Sequence, residues 1–275
     1  MKKLGKDILR LDFERTIDDI VEFIRKTVKD ADAAGVVVGL SGGVDSSLVV
    51  TLCVRALGKN RVFGVIMPMV FTPVQDTDDA KELAEWLGIR NELVSIQEIS
   101  EAFSIQLGIN KNDPKQRIPM ANILARIRMI VLYYYANLNN YLVAGTGDRS
   151  ERLIGYFTKY GDGGADFLPI SHLYKTQVRE LSKHMGVPDK IAYKPSSPQL
   201  YPEHKATDEI PLGYEELDPV LVGLFDHKLP TGKVSQGTGV PVIVVEEVLR
   251  RFDRSKHKRT PPQMPKREAS RMASG

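Results

Sequence analysis

Residues Val36–Ser47 read VVVGLSGGVDSS, a β-branched, apolar run closed by a Ser-Gly-Gly turn and continued by the apolar helical stretch SSLVVTLCVRAL. A strand that ends in a glycine turn at a helix N-terminus aims backbone N–H groups and the positive end of the helix at one point, which favours an anion. Gly39 and Leu40 close the strand, and Ser41, Gly42, Gly43, Val44 and Ser46 carry the turn into the helix. The glycines let the backbone approach a phosphate, while the hydroxyls of Ser41, Ser46 and Ser47 add donors. Asp45 is the odd member, because a carboxylate repels phosphates unless a cation lies between them. It therefore reads as a ligand of magnesium, a hard cation that bridges carboxylate and phosphate oxygens. No Lys follows the glycines and neither GxxxxGK[ST] nor GxGxxG is present, so the commoner phosphate and dinucleotide loops are excluded.

Working outward, residues 14–34 put Ile17, Ile20, Val21, Ile24 and Val28 on one stripe and predict an amphipathic helix. RVFGVIMP, 61–68, predicts a second strand, followed by a helix whose first turn holds Asp76, Asp78 and Asp79. Strand IRNELVSI and helix QEISEAFSIQL complete a third unit. This alternation predicts an α/β chain with a doubly wound parallel sheet and helices on both faces. A polar, basic connector, GINKNDPKQRIP at 108–119, precedes the longest helical run, ANILARIRMIVLYYYANLNN. Its apolar residues cover most of the circumference, which places it at the centre of the domain or against a partner subunit. Arg126 and Arg128 interrupt it, either snorkelling to solvent or reaching an anionic ligand at a subunit boundary. Strand YLVAG, 141–145, then runs into TGDRSE, a second strand-to-helix turn of the kind that binds ligands in open α/β sheets. Beyond it come a glycine-rich loop at 161–164, a helix from Lys175 to Met185, an irregular proline-rich stretch at 191–213 and a last helix over roughly 241–258.

At 275 residues, 42% hydrophobic and 27% charged, the chain can bury a full core. The formal charge is +3, yet residues 250–271 hold nine Lys or Arg against Asp253 and Glu268, so the remainder is acidic and argues against nucleic acid as a partner. The single cysteine, Cys53, lies within an apolar helix and reads as core. With no disulfide framework, no Cys/His metal spacing, no signal-peptide core and no membrane-length apolar segment, the expectation is a cytoplasmic protein without a membrane partner.

SGGVDSS at 41–47 resembles the pyrophosphate loop of the ATP pyrophosphatases, which cleave ATP between its α and β phosphates and adenylate an oxygen. Further stretches narrow the likeness: NILARIRM at 122–129, GTGDRSE at 145–151, GYFTKYGDGGADFLP at 155–169, LYKTQVREL at 173–181, KPSSPQL at 194–200, TDEIPLGYEELDPVL at 207–221 and HKRTPP at 257–262. In that order they resemble the ammonia-dependent NAD synthetases, with FTKYGDGGAD as the segment that other pyrophosphate-loop enzymes lack. The resemblance implies a homodimer with a Rossmann-like sheet that converts deamido-NAD, ATP and ammonia to NAD, AMP and pyrophosphate through an acyl adenylate. It implies ATP contacts from the 39–46 loop, Thr146, Lys175 and Ser197, the last standing where many members have Thr. It also implies magnesium ligation by Asp45 and Glu151, and deamido-NAD contacts from Arg126, Lys159, Asp166, His257 and Lys258. Asp45, Glu151, Asp162 and Lys175 would form the catalytic set, with Asp162 taking the proton of ammonium and Asp208 and Glu209 behind it.

The expected organisation is a single domain over residues 1–275, with loops 155–170 and 191–213 on substrate and ATP and a flexible basic tail over 259–275. The alternatives are another adenylating amidotransferase or ligase of the superfamily, or a non-catalytic adenine-nucleotide binding module. A tRNA-directed ligase would add a basic RNA-binding domain. A binding module would need neither a second carboxylate nor the GDGGAD segment.

Overall fold

The computed structural model describes residues 4–110, 112–195, 200–201 and 209–265. Strand β1 (Gly35–Leu40) pairs in parallel with β2 (Val62–Ile66) on one side and β4 (Tyr141–Val143) on the other, and β3 (Arg90–Leu93) completes the order β3-β2-β1-β4. Valines dominate the two central strands because both sheet faces are covered, so successive side chains alternate between two dry layers. Val36, Val38 and Leu40 pack with α1 (Phe13–Asp30), α2 (Val44–Leu57) and α3 (Val74–Leu87), through Ile20, Ile24, Leu48, Leu52 and Leu83. Val37, Phe63 and Val65 pack the other way, against Leu124, Ile127 and Ala136 of α5 (Pro114–Asn139), beside α4 (Gln97–Gln106).

The chain then builds a second, helical core from α6 (Arg149–Ile154), α9 (Tyr214–Leu221), α10 (Thr231–Thr238) and α11 (Val242–Arg254), around Leu217, Val220, Val234, Val245 and Val248. Between the two cores runs α7 (Lys175–His184), whose Val178 and Leu181 belong to the sheet layer, and a single turn, α8 (Asp189–Ala192), follows it. The doubly wound α/β class expected from the sequence is the observed one. Cys53 lies fully buried in α2, and burial pushes its thiol up to about 12.

Four boundaries differ from expectation for identifiable reasons. The first helix stops at Asp30 because Asp32 takes a left-handed φ of 49°. Helix α2 begins at Val44, which puts Asp45 inside its first turn. The supposed connector 108–119 is helical from Pro114, because Asp113 caps the Lys115 N–H at 2.9 Å and a proline at the first helical position loses no needed donor. The last helix breaks after Arg254 into α11 and α12 (Lys256–Arg259). Arg259, at the head of the expected tail, makes several contacts with the helical core. It stacks over Phe252 at 4.1 Å and donates to the Arg152 carbonyl at 3.1 Å and to Ser255 Oγ at 2.7 Å. Among the described residues no helix is long and apolar enough to cross a membrane.

Candidate active site

The chain leaves β1 toward β2 and β3, then returns to lay β4 on the far side of β1, so a crevice opens at the carboxyl ends of these two neighbours. A cavity of about 430 Å³ occupies that position. Its wall includes Gly39 at the end of β1, Ser41, Gly43, Asp45 and Ser46 after it, Met67 after β2, Thr146 after β4, and Glu151 from α6.

The loop after β1 is braced from within. Ser46 Oγ lies 3.1 Å from Ser41 Oγ and donates to the Gly43 carbonyl at 3.1 Å, and Ser47 Oγ donates to the same carbonyl at 2.8 Å. Gly42 sits at φ 72°, and a Cβ there would collide with the Asp76 carbonyl oxygen. Its glycine is therefore needed for the turn and for close approach to α3, whereas Gly43 opens α2 and faces the cavity. Ser47 is buried against the loop backbone.

Behind the loop lies a charged centre. Lys175, the first residue of α7, is fully buried, and its Nζ lies 2.7 Å from Asp45 Oδ2, 2.8 Å from Asp148 Oδ2 and 2.9 Å from Glu151 Oε1. Local structure delivers each group: Asp45 from the first turn of α2, Asp148 as the N-cap of α6 with Oδ1 on the Glu151 N–H at 2.8 Å, and Glu151 from that helix's first turn. Burial works against the Lys175 charge, but the three carboxylates outweigh it and hold the ammonium well above its ordinary range. Burial also pushes Asp148 up to about 6 and raises Glu151 well above an ordinary carboxyl, with the neighbouring acids adding to the effect.

Asp45 Oδ1 is buried without a hydrogen-bond partner among the described residues, and both Asp45 and Glu151 line the cavity. Two hard carboxylates beside a glycine turn at a helix N-terminus suit magnesium, which commonly takes one or two protein carboxylates and fills its remaining positions with phosphate oxygens and water. Among the described residues no group of three or more His, Cys, Asp or Glu side chains forms an all-protein cage. Lys175, expected on ATP, does not line the cavity; its ammonium is turned to the carboxylates.

The residues expected on deamido-NAD divide into separate groups. Lys258 lines the cavity and donates to the Gly155 and Phe157 carbonyls at 2.8 and 2.7 Å. Arg126, Lys159 and His257 form a chain away from the cavity wall: Arg126 Nη2 donates to the Lys159 carbonyl at 3.3 Å, and Lys159 Nζ to the His257 carbonyl at 2.9 Å. Asp166 is tied elsewhere, accepting the Val143 N–H at 2.7 Å and the Tyr133 hydroxyl at 3.1 Å. Asp162 opens onto the cavity and accepts the Thr158 N–H at 2.8 Å. Asp162 keeps an exposed surface, and the protein packed around its carboxyl raises its proton affinity against the opposing influence of Thr158 and Lys258. Ser197 and Asp208 fall outside the described residues.

Further residues belong to the site that the sequence does not single out on its own. Of the two arginines in α5, Arg126 is exposed, while Arg128 lines the cavity with Nε on the Met67 carbonyl at 3.4 Å. Burial brings Arg128 down to about 10, so it stays cationic at neutral pH. Asp148 carried a readable signal, since Asp followed three residues later by Glu is a helix-start pattern. Lys194 also lines the cavity and pairs with Asp76 Oδ1 at 2.7 Å and with Asp79 on α3; nothing in a proline-rich segment announces such a partner.

A family model described as NAD synthase matches residues 16–262. The NH(3)-dependent NAD(+) synthetase of Hyperthermus butylicus is 49% identical over 260 residues, covering 94% of this chain and 93% of that protein. Its counterpart from Staphylothermus marinus is 46% identical over 261 residues, 94% of each chain. Among solved structures, NMN synthetase from Francisella tularensis superposes with a TM-score of 0.81 at 33% identity, covering 93% of this chain and 99% of that one. The NH3-dependent NAD synthetase of Campylobacter jejuni, in complex with nitrate, gives 0.78 at 31% identity, covering 94% and 100%. Likeness at this level spans both the sheet, whose switch point carries the glycine turn, and the helical core that delivers Glu151, and on these grounds the chain belongs to the NAD synthase family.

Proposed function

We infer that this enzyme uses ATP to amidate deamido-NAD with ammonia, giving NAD, AMP and pyrophosphate through an acyl adenylate. The observation that carries the reading is the placement of Asp45, Glu151 and Asp162 on the wall of one cavity that also holds the glycine turn. A nicotinate carboxylate is a poor acceptor for ammonia because oxide would have to leave. In the first step a carboxylate oxygen bonds to the α phosphorus, the bond from that phosphorus to the bridging oxygen breaks, and pyrophosphate departs toward the turn at Ser41–Ser46. Catalysis here is positioning and charge stabilisation: the Gly43 end of α2 and the Ser41 and Ser46 hydroxyls receive the departing oxygens. Asp45 and Glu151 are the residues that would hold magnesium, which when bound neutralises charge on the phosphate oxygens.

In the second step ammonia attacks the acyl carbon and AMP leaves. Ammonium dominates at neutral pH, so a base must accept its proton. Asp162 suits this role, because its raised proton affinity makes it a better acceptor than an ordinary carboxylate and it opens onto the cavity.

We assign the enzyme as a homodimer. On α5 the residues Ile130, Tyr134 and Leu138 follow one another at helical spacing and are 57%, 61% and 66% exposed, and Phe103 of the adjoining α4 and Leu107 just past its end are 42% and 62% exposed. An apolar strip of this kind on two packed helices favours burial against a second copy. Arg126 stands one turn before Ile130, which puts the exposed deamido-NAD group at the edge of that strip. A cytoplasmic setting fits the lone, inert thiol of Cys53.

Product analysis with deamido-NAD and Mg-ATP, comparing ammonium with glutamine side by side, tests the reading. NAD, AMP and pyrophosphate are expected with ammonium. ADP and phosphate, or tight ATP binding without turnover, would refute it. Asp45→Asn is expected to abolish turnover while the protein stays folded by circular dichroism.

A further inference from the structure

Near the end of the sequence segment TDEIPLGYEELDPVL stands an aspartate to which the reaction above gives no task. Asp218 lies on α9, in the helical core, and is fully buried. An ionised carboxylate in such a place is costly unless donors surround it. Asp218 has three. Its Oδ1 accepts the Ser150 hydroxyl at 2.6 Å, and its Oδ2 accepts the Thr176 N–H at 2.8 Å and the Thr176 hydroxyl at 2.7 Å. Ser150 passes the connection on, because its Oγ accepts the Lys175 N–H at 3.0 Å.

These donors sit at two helix starts. Ser150 and Glu151 are consecutive in the first turn of α6; Lys175 and Thr176 are the first two residues of α7. One carboxylate thus ties together the N-terminal turns that carry Glu151 and Lys175, and it sits where the positive ends of both helices favour negative charge. Asp218 bonds the neighbour of each working side chain: the hydroxyl of Ser150 beside Glu151, and the N–H and hydroxyl of Thr176 beside Lys175. The helical core consequently sets the distance between Glu151 and the loop after β1, although no residue of α9 touches that loop among the contacts described. Asparagine, nearly the same shape, could keep an acceptor toward only one of the two oxygens' partners and would turn an NH2 toward donors at the other.

We propose that Asp218 is a positioning residue of the adenylation step: it holds the starts of α6 and α7 in the register that lets Lys175 meet both Glu151 and Asp45. The proposal rests on the reading of Asp45 and Glu151 as functional, and the test separates the two.

The experiment measures ammonium-dependent NAD formation and exchange of labelled pyrophosphate into ATP for wild type, Asp218→Asn, Ser150→Ala, Thr176→Val and Asp45→Asn, at a temperature well below each variant's unfolding midpoint. For Asp218→Asn the expected result is a fall in kcat and in exchange rate of about 10- to 100-fold, the usual loss when an outer hydrogen bond that orients a working group is removed, with KM for ATP changed less than about threefold. Ser150→Ala and Thr176→Val, which each remove a donor and leave the carboxylate, are expected to give smaller falls in the same parameter. A residue that served folding alone would lower the midpoint and leave kcat per folded molecule at the wild-type value. That result, with Asp45→Asn inactive, overturns the positioning role and leaves the site standing. Wild-type turnover by Asp45→Asn instead removes the reading of the site, and the proposal with it. Should Asp218→Asn fail to fold, the two single-donor variants decide by the same criterion: wild-type kcat in both refutes the proposal.

Discussion

Gly42 carries two separate demands in one residue. Its φ of 72° disfavours any side chain by about 1–2 kcal/mol, and the Asp76 carbonyl oxygen occupies the place of a Cβ. Gly42→Ala is therefore expected to lose more stability than the conformational term alone, measured by urea unfolding, and to lower turnover by moving the turn away from α3. A loss smaller than about 1 kcal/mol would mean that the loop shifts without cost. At this scale the sequence was informative where a residue's role follows from its neighbours in the chain. Asp45 stood out because it adjoins phosphate-binding glycines. Arg126 and Arg128 could not be separated, because both interrupt the same helix and only the packing of α5 on the sheet turns one to the cavity and the other to the surface.

Helix α6 has six residues, too few to show a period, and its start depends on Asp148. That one side chain caps the Glu151 N–H and faces Lys175, so its two oxygens serve different purposes. Asp148→Asn keeps a capping oxygen and withdraws a charge, whereas Asp148→Ala also removes the cap. The alanine variant is expected to be less stable than the asparagine variant by about 0.5–2 kcal/mol in denaturant unfolding. A pH dependence accompanies this. With its folded value raised to about 6, the native Asp148 retains a proton that the unfolded chain gives up, so its contribution to stability falls as pH rises from about 4 to 6. Asp148→Asn lacks that loss and should gain on the wild type across the same interval; a constant difference would show that the carboxyl titrates normally. Short elements such as α9 and α10 were illegible, since they owe their existence to the core around Leu217 and Val245 rather than to local pattern. The long α5 was legible in its apolar middle and not at its start, where polar residues between Pro114 and Pro119 continue a helix that Asp113 begins.

At the scale of the molecule, the sheet was the readable part, because buried parallel strands write continuous valine-rich runs, and the order that makes a switch point follows from where β4 returns. Of the helical core only α11 was readable, since the short helices packed beside it leave no comparable signature next to loops rich in proline. The exposed strip on α4 and α5 gives a prediction of its own. Leu138→Glu combined with Tyr134→Glu places charges where a second copy would sit, and sedimentation velocity should report a dimer for the wild type and a monomer for the variant. A wild-type monomer at micromolar concentration would remove the homodimer assignment.

The ammonium of Lys175 among Asp45, Asp148 and Glu151 has a consequence for how the enzyme tolerates its surroundings. Acidic centres built around a divalent ion collapse or swell when a chelator strips it, since only the ion offsets their mutual repulsion. Here the chain brings its own internal counter-ion, so the architecture is expected to be indifferent to divalent supply, whereas turnover is expected to respond to it. Treatment with excess EDTA should silence NAD formation and leave the melting temperature within about 1 °C, and readdition of magnesium should restore activity without any refolding lag, whereas a drop of several degrees, the shift that about 1–2 kcal/mol produces in a protein of this size, would show that the lysine alone does not balance the acids.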